Sequence, residues 1–199
     1  MSIAPDFDSM YAADPDPWEV ATSWYERRKI DIALASLRRQ RYRFAWDAAC
    51  GTGELASHLA GRCERVLATD MSAVAVSLST RRLQPLPQVS VTQSHLPSKP
   101  TALEERPDLI VLSEVMYYLP PADRAATYAL VDEVAAPEAD LLLVNWAPQP
   151  EDAYASGLAV FNEANDTLNA LGWGRLVTHT DIEFVLGCWS RDLPETIGR

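Results

Sequence analysis

Phe44-Ala45-Trp46-Asp47-Ala48-Ala49-Cys50-Gly51-Thr52-Gly53 runs from an apolar strand into a glycine turn, and Glu54 to Ala60 continues as a helix. Glycines at such a turn let the backbone pass close to a ligand, and the helix N-terminus behind them offers unpaired N–H groups. Asp70 follows 17 residues after Gly53, where a second apolar run, Val66-Leu67-Ala68, ends. A carboxylate at that place can accept hydrogen bonds from both hydroxyls of a ribose. The combination points to an adenosine-containing cofactor at the carboxyl edge of a sheet. The plain alternative is a tight strand-to-helix turn with a chance acidic neighbour.

Working outward, Ser72 is placed to cap a helix running to about Leu83. Val89-Ser90-Val91 alternates as a third strand, and Leu109-Ile110-Val111-Leu112 is continuously apolar, as expected of a strand covered on both faces. Ala122 to Val134 reads as a helix, Leu141-Leu142-Leu143-Val144 as a fifth strand, and about Asp152 to Leu171 as another helix. Arg175 to Thr180 and Glu183 to Trp189 read as two strands joined tightly around Asp181. Upstream, Ser23 to Leu37 has a helical spacing of Trp24, Ile30, Ala33, Leu34 and Leu37, after a proline-stiffened loop, Asp14-Pro15-Asp16-Pro17-Trp18. This alternation implies one α/β domain over residues 1–199. Its sheet is Rossmann-like, doubly wound, seven-stranded and mostly parallel, with helices on both faces and an antiparallel C-terminal strand pair. Residues 1–40 are expected to form an N-terminal lid and helix, 41–146 a cofactor-binding core, and 147–199 the acceptor side and last strands.

The glycine segment also fits a dinucleotide fingerprint, with Gly51, Gly53 and Ala56 as its small residues. Asp47 separates the two readings. A carboxylate at the end of the first strand is awkward beside a pyrophosphate but suits a cationic amino acid moiety. S-adenosylmethionine (SAM) carries an ammonium and a sulfonium and no phosphate, so the reading leans to SAM, with S-adenosylhomocysteine as product. An NAD-dependent oxidoreductase is the competing enzyme class; no convincing Tyr-x-x-x-Lys pair supports it.

The run Asp47 to Gly53 resembles the first motif of class I SAM-dependent methyltransferases, Asp/Glu-x-Gly-x-Gly-x-Gly, with Ala49 in place of the first glycine. Arg106-Pro107-Asp108-Leu109-Ile110-Val111-Leu112-Ser113-Glu114-Val115-Met116-Tyr117-Tyr118-Leu119 is similar to the fourth-strand segment of that superfamily. Three segments resemble the nodulation N-methyltransferases (NodS-like): Asp14-Pro15-Asp16-Pro17-Trp18, Thr22-Ser23-Trp24-Tyr25-Glu26, and Leu112-Ser113-Glu114-Val115-Met116-Tyr117-Tyr118. The resemblance covers most of residues 7–146. That family methylates the free amine of a partly deacetylated chitooligosaccharide, so the resemblance implies an amino-sugar amine as acceptor.

Candidate site residues follow. Glu114, just beyond the fourth strand, can orient the acceptor or take its proton; it can equally be a contact to the methionine moiety or a helix-start carboxylate. Tyr117 and Tyr118 are candidates for the acceptor pocket, at least one of them more plainly core. Asp47, Ala49, Gly51, Gly53, Asp70, Met71 and Ser113 are expected on the cofactor side. The resemblance puts an adenine-contacting loop at Ser94 and His95, without the acidic residue the superfamily often has there. Trp18, Trp24, Tyr25 and Arg28 can fold over the cofactor as a lid by stacking or cation–π contact; Trp24 can instead be the apolar anchor of the first helix. Glu114, Tyr117, Asn145 and this lid would enclose the acceptor. His58 and His179 show no partner spacing.

Composition limits the alternatives. The chain is 48% hydrophobic and 23% charged over 199 residues, which suits one globular domain. A formal charge of −11 repels phosphate backbones. Ser113-Glu114-Val115 also stands where base-amine methyltransferases carry Asn/Asp-Pro-Pro-aromatic. No nucleic-acid or membrane partner is therefore expected, and the acceptor is a small molecule. Arg38, Arg39, Arg41 and Arg43 read as a solvated helix end favourable to the dipole. Cys50, Cys63 and Cys188 have no metal-binding spacing, and with no leader or apolar span in the sequence a cytoplasmic setting is the default. An O-methyltransferase would share every cofactor residue, and a non-catalytic SAM-binding protein remains a fourth reading.

Overall fold

In the computed structural model, which describes residues 5–192, the apolar runs become seven strands. They are β1 (Tyr42–Asp47), β2 (Cys63–Asp70), β3 (Val89–Gln93), β4 (Leu109–Ser113), β5 (Asp140–Trp146), β6 (Gly174–Thr180) and β7 (Phe184–Ser190). Their order in the sheet is β3-β2-β1-β4-β5-β7-β6. The first five pair in parallel, whereas β7 runs antiparallel to both β5 and β6. Strand order reverses between β1 and β4, the place where doubly wound sheets open a crevice beyond their carboxyl ends.

Period-two alternation divides the core between two faces. Trp46, Ile110, Leu112, Leu141 and Leu143 pack on one side with α5 (Pro121–Val134) and α6 (Gly157–Ala170). Ala45, Leu109, Val111, Leu142 and Val144 face the other, with α2 (Trp24–Ser36), α3 (Glu54–Leu59) and α4 (Ala73–Leu83). Burial on both faces explains why β4 and β5 lack polar alternation. Ser72 caps α4 as expected, its Oγ accepting from the Ala75 N–H at 3.1 Å.

The loop at residues 14–18 is irregular as expected, and before it Phe7–Ala13 forms α1, whose cap Asp6 accepts from the Ser9 N–H at 3.2 Å. Three expectations are corrected. Helix α6 starts at Gly157 rather than near Asp152, because Ser156 supplies its cap by accepting from the Ala159 N–H. The arginine cluster does not dress a helix end, since α2 stops at Ser36. Arg38 and Arg39 instead approach the fully buried Asp140 at 3.5 and 3.8 Å, and Arg43 pairs with Glu105 at 2.9 Å. Finally, Trp24 is 73% exposed, so it neither anchors α2 nor covers a ligand. The inward face of α2 is Glu26, Lys29, Ile30 and Ala33, followed by Leu37 just beyond its end.

Candidate active site

A cavity of about 770 Å³ opens at the carboxyl ends of the parallel strands, within the usual range for a small-ligand site. Its floor is the β1–α3 turn. The Cys50 N–H donates to the Thr69 carbonyl and the Gly53 N–H to the Cys50 carbonyl, folding the turn back on itself. Gly51 and Gly53 have φ of +52° and +83°, a region that side chains disfavour. Ala49, at the first-glycine position of the motif, has negative φ, so a methyl group is tolerated there. It lines the cavity with Gly51, but Gly53 does not: the space its missing Cβ would take is closed by Leu83 and Ser79 of α4. Its part is helix packing rather than ligand contact.

Two carboxylates meet this turn. Asp70 accepts from the Gly51 N–H at 2.8 Å and the Ser72 N–H at 2.9 Å, which ties the ends of β1 and β2 together. Burial raises its pKa, and these backbone donors partly offset the effect. Asp47 is 1% exposed, and neither of its oxygens has a hydrogen-bond partner among the described residues. Burial, followed by the nearby charge of Asp70, pushes its pKa up to about 7. A buried carboxylate left without donors on a cavity wall is costly by itself and fits a site that receives a cation.

Other expected residues stand around the same space. Met71, Ser94, His95, Ser113, Trp18 and Tyr25 all line it. His95 also meets the Ser98 hydroxyl at 3.2 Å. Arg28 is a correction: it is turned to the flank of α2, reaching Asp181 at 2.5 Å and Glu183 at 3.1 Å and lying over the Phe184 ring. It braces the β6–β7 turn and is not a cavity residue. Asn145 is likewise absent from the wall; it is fully buried, and its amide has no partner among the described residues.

Beyond β4, Glu114 adopts a left-handed φ of +56°, a conformation unfavourable by roughly 1 kcal/mol or more for a non-glycine residue. Its carboxylate is held from three sides: Lys29 Nζ at 2.7 Å, the Tyr117 hydroxyl at 2.5 Å and the Trp146 N–H at 2.8 Å. Lys29 is buried and also bonds Glu26 at 2.8 Å, with its ammonium over the Tyr25 ring. Burial opposes the Lys29 charge, but Glu114 and Glu26 outweigh it and hold the ammonium above the ordinary lysine pKa. For Glu26, burial wins over its one cationic partner and raises the pKa.

Sequence reading missed Glu26 and Lys29, because charged helix residues ordinarily face water. The available signal was their place on the same helical face as Ile30 and Ala33. It also missed Phe7 and Tyr11 of α1, which line the cavity with Trp18. Phe7 meets Tyr118 edge-on at 5.1 Å, Tyr11 meets Trp18 at 5.6 Å, and Asp8 accepts from the Ser72 hydroxyl at 2.6 Å. Thus α1 roofs the site.

Comparison with known proteins agrees with this geometry. The methyltransferase domain family matches residues 45–138. A crystal structure from Pseudomonas syringae, assigned as a methyltransferase, is 35% identical, with a TM-score of 0.72; the match covers 84% of this chain and 99% of that one. The chain belongs to the SAM-dependent methyltransferases. Its fold is that of the class I enzymes, and it is similar to the NodS proteins. Nodulation protein S of Rhizobium tropici is 32% identical over 109 residues, or 54% of this chain and 44% of that protein. The chain thus matches less than half the length of this curated relative. The N-methyltransferase NodS of Bradyrhizobium japonicum WM9, crystallised with S-adenosylhomocysteine, shares the fold: TM-score 0.76 at 19% identity, covering 96% of this chain and 98% of that one.

The methyltransferase cofactor, SAM, suits the residues present. Asp47 is a buried carboxylate without donors, where the methionine ammonium would be neutralised. Asp70 keeps acceptor capacity for ribose hydroxyls after taking two N–H groups. Ser94 and His95 would flank the base, the Ser94 N–H being fixed on the Asp70 carbonyl at 2.9 Å.

Proposed function

We propose that this methyltransferase transfers its methyl group to the amine of a small molecule, of amino-sugar type. The observation that carries the reading is the charge of the cavity wall. Eight carboxylates line it (Asp16, Glu26, Asp47, Glu54, Asp70, Glu114, Asp123 and Asp152) against a single lysine, Lys29, which is already shared by two of them. Such a wall favours two cationic guests, the cofactor and a basic acceptor, and opposes phosphates. The aromatic roof of Phe7, Trp18 and Tyr118 suits the apolar face of a sugar ring. The likeness to NodS, an N-methyltransferase, supports an amine.

Bound SAM supplies a methyl group on a sulfonium, already activated for in-line displacement. The chain's task is to position, to exclude water and to manage one proton. Glu114 and Tyr117, locked to each other, to Lys29 and to the β5 backbone, form a rigid wall that orients the acceptor nitrogen. Asp47 and Asp70 hold the donor at the opposite, β1–β2 side. Tyr117, whose hydroxyl pKa is raised well above the usual value by burial and by Glu114, serves as a donor and not as a base.

The test is methyl transfer from labelled SAM to partly deacetylated chitooligosaccharides, with fully acetylated oligomers as the hydroxyl-only control. Transfer confined to the deacetylated series is expected. Equal transfer to both would replace the reading with O-methylation.

A further inference from the structure

We infer that Glu26 is the proton-accepting catalytic residue for the acceptor amine, with Lys29 as the residue that positions it. The inference rests on the amine reading above and assigns a role that Glu114 is badly placed to fill. Both carboxylates share one ammonium: Lys29 Nζ is 2.8 Å from Glu26 Oε1 and 2.7 Å from Glu114 Oε1. They therefore stand side by side at the same end of the cavity, whose wall includes both. Their remaining valences differ. Glu114 Oε2 accepts from both the Tyr117 hydroxyl and the Trp146 N–H. Glu26 Oε2 has no donor among the described residues. A carboxylate with three donors is stabilised as an anion and is a poor base, whereas one with a single donor keeps a free lone pair and its basicity.

Burial works in the same direction. Glu26 is 7% exposed and packs on α2 beside Ile30. The charged and titratable groups facing it are Lys29 and the Tyr25 hydroxyl on its own helix, Glu114 beyond β4, and Asp16 in the N-terminal loop. Burial has the largest effect and raises the Glu26 pKa; Lys29 pulls it down, and Glu114 and Asp16 push it up by less.

The step balances as follows. An acceptor ammonium gives one N–H proton to Glu26 Oε2, freeing the nitrogen lone pair. That pair forms the N–C bond as the C–S bond of the sulfonium breaks, the bonding electrons remaining on sulfur. Glu26 then returns its proton to solvent through the open cavity, before the next acceptor binds.

The experiment compares wild type, Glu26→Gln and Glu26→Asp, with glucosamine as amine probe and N-acetylglucosamine as control. Binding of S-adenosylhomocysteine is measured calorimetrically, glucosamine binding to the S-adenosylhomocysteine complex likewise, and methyl transfer by label. The expected result for Glu26→Gln is S-adenosylhomocysteine affinity within twofold of wild type and kcat lower by about 100-fold or more, the usual scale for losing a general base. Glu26→Asp, which keeps the charge but shortens its reach, should fold and recover part of that loss. Turnover of Glu26→Gln within threefold of wild type would overturn the role of Glu26 and leave the amine reading standing. A wild type that neither binds nor methylates glucosamine, or that methylates N-acetylglucosamine as well, would overturn the amine reading and the role of Glu26 with it.

Discussion

Asp47 carries a consequence that separates binding from folding. Its pKa of about 7 exceeds the usual aspartate value near 4 because the folded chain buries it without donors. Between those two values the folded state holds a proton that the unfolded chain has released, so the free protein loses stability as pH rises through this window. Above about pH 7 the ionised carboxylate is ready for a cation. SAM affinity should therefore rise as pH increases from 6 to 8. Asp47→Asn should flatten that rise, weaken SAM binding at pH 8, and raise the melting temperature of the free protein there. Calorimetry and thermal denaturation at the two pH values check both halves. A variant less stable than wild type at pH 8 would show that Asp47 has a partner within the fold.

Residue by residue, the β1–β2 side of the cavity was legible and the part that α2 contributes was not. Asp47, Ala49, Gly51 and Asp70 were expected on the cofactor side from their position in a strand-turn-helix, and all four line the cavity. Glu26 and Lys29 were hidden because a buried ion pair differs from a solvated one only through its tertiary neighbours. Arg28, four residues after Trp24 on α2, was assigned to the lid for the stacking or cation–π contact it could make; its actual partners, Asp181 and Glu183, lie more than 150 residues away.

At the scale of elements, strands were read well because both-face burial leaves continuous apolar runs, and the boundaries of α4 and α5 follow from Ser72 and from Pro120-Pro121. Helix α1 escaped because seven residues give only two turns, too few for a period to show. Its place is set instead by Asp8, which accepts from the Ser72 hydroxyl and from the Val74 N–H at 3.2 Å, fastening α1 to the start of α4. This latch also holds the segment that follows Asp70. Asp8→Ala should give faster hydrogen exchange in α1 and faster SAM release, with little change in global melting temperature. Exchange confined to its wild-type rate would mean that the aromatic contacts of Phe7 and Tyr11 alone keep the roof closed.

Across the whole molecule, the sheet order brings four of the expected cofactor residues to one edge. Asp47 ends β1, Asp70 ends β2, Ser94 follows β3 and Ser113 ends β4. Five parallel strands thus bring side chains from distant parts of the sequence to a common cavity, and α1 and α2 close it from above. This arrangement also explains why fold and cofactor were readable together: one crossover pattern fixes both. The cavity walls from α1, α2 and the chain after β5 were not, because no local pattern there states what will face inward.

The most direct test of the account is parallel calorimetric titration of the purified protein with SAM, S-adenosylhomocysteine and NAD at pH 8, repeated with Asp70→Ala. The account predicts binding of the first two ligands and none of NAD, with Asp70→Ala weakening SAM by roughly 1–3 kcal/mol through lost charge-assisted hydrogen bonds. Binding of NAD without SAM, or SAM affinity unchanged by Asp70→Ala in a folded protein, would contradict it.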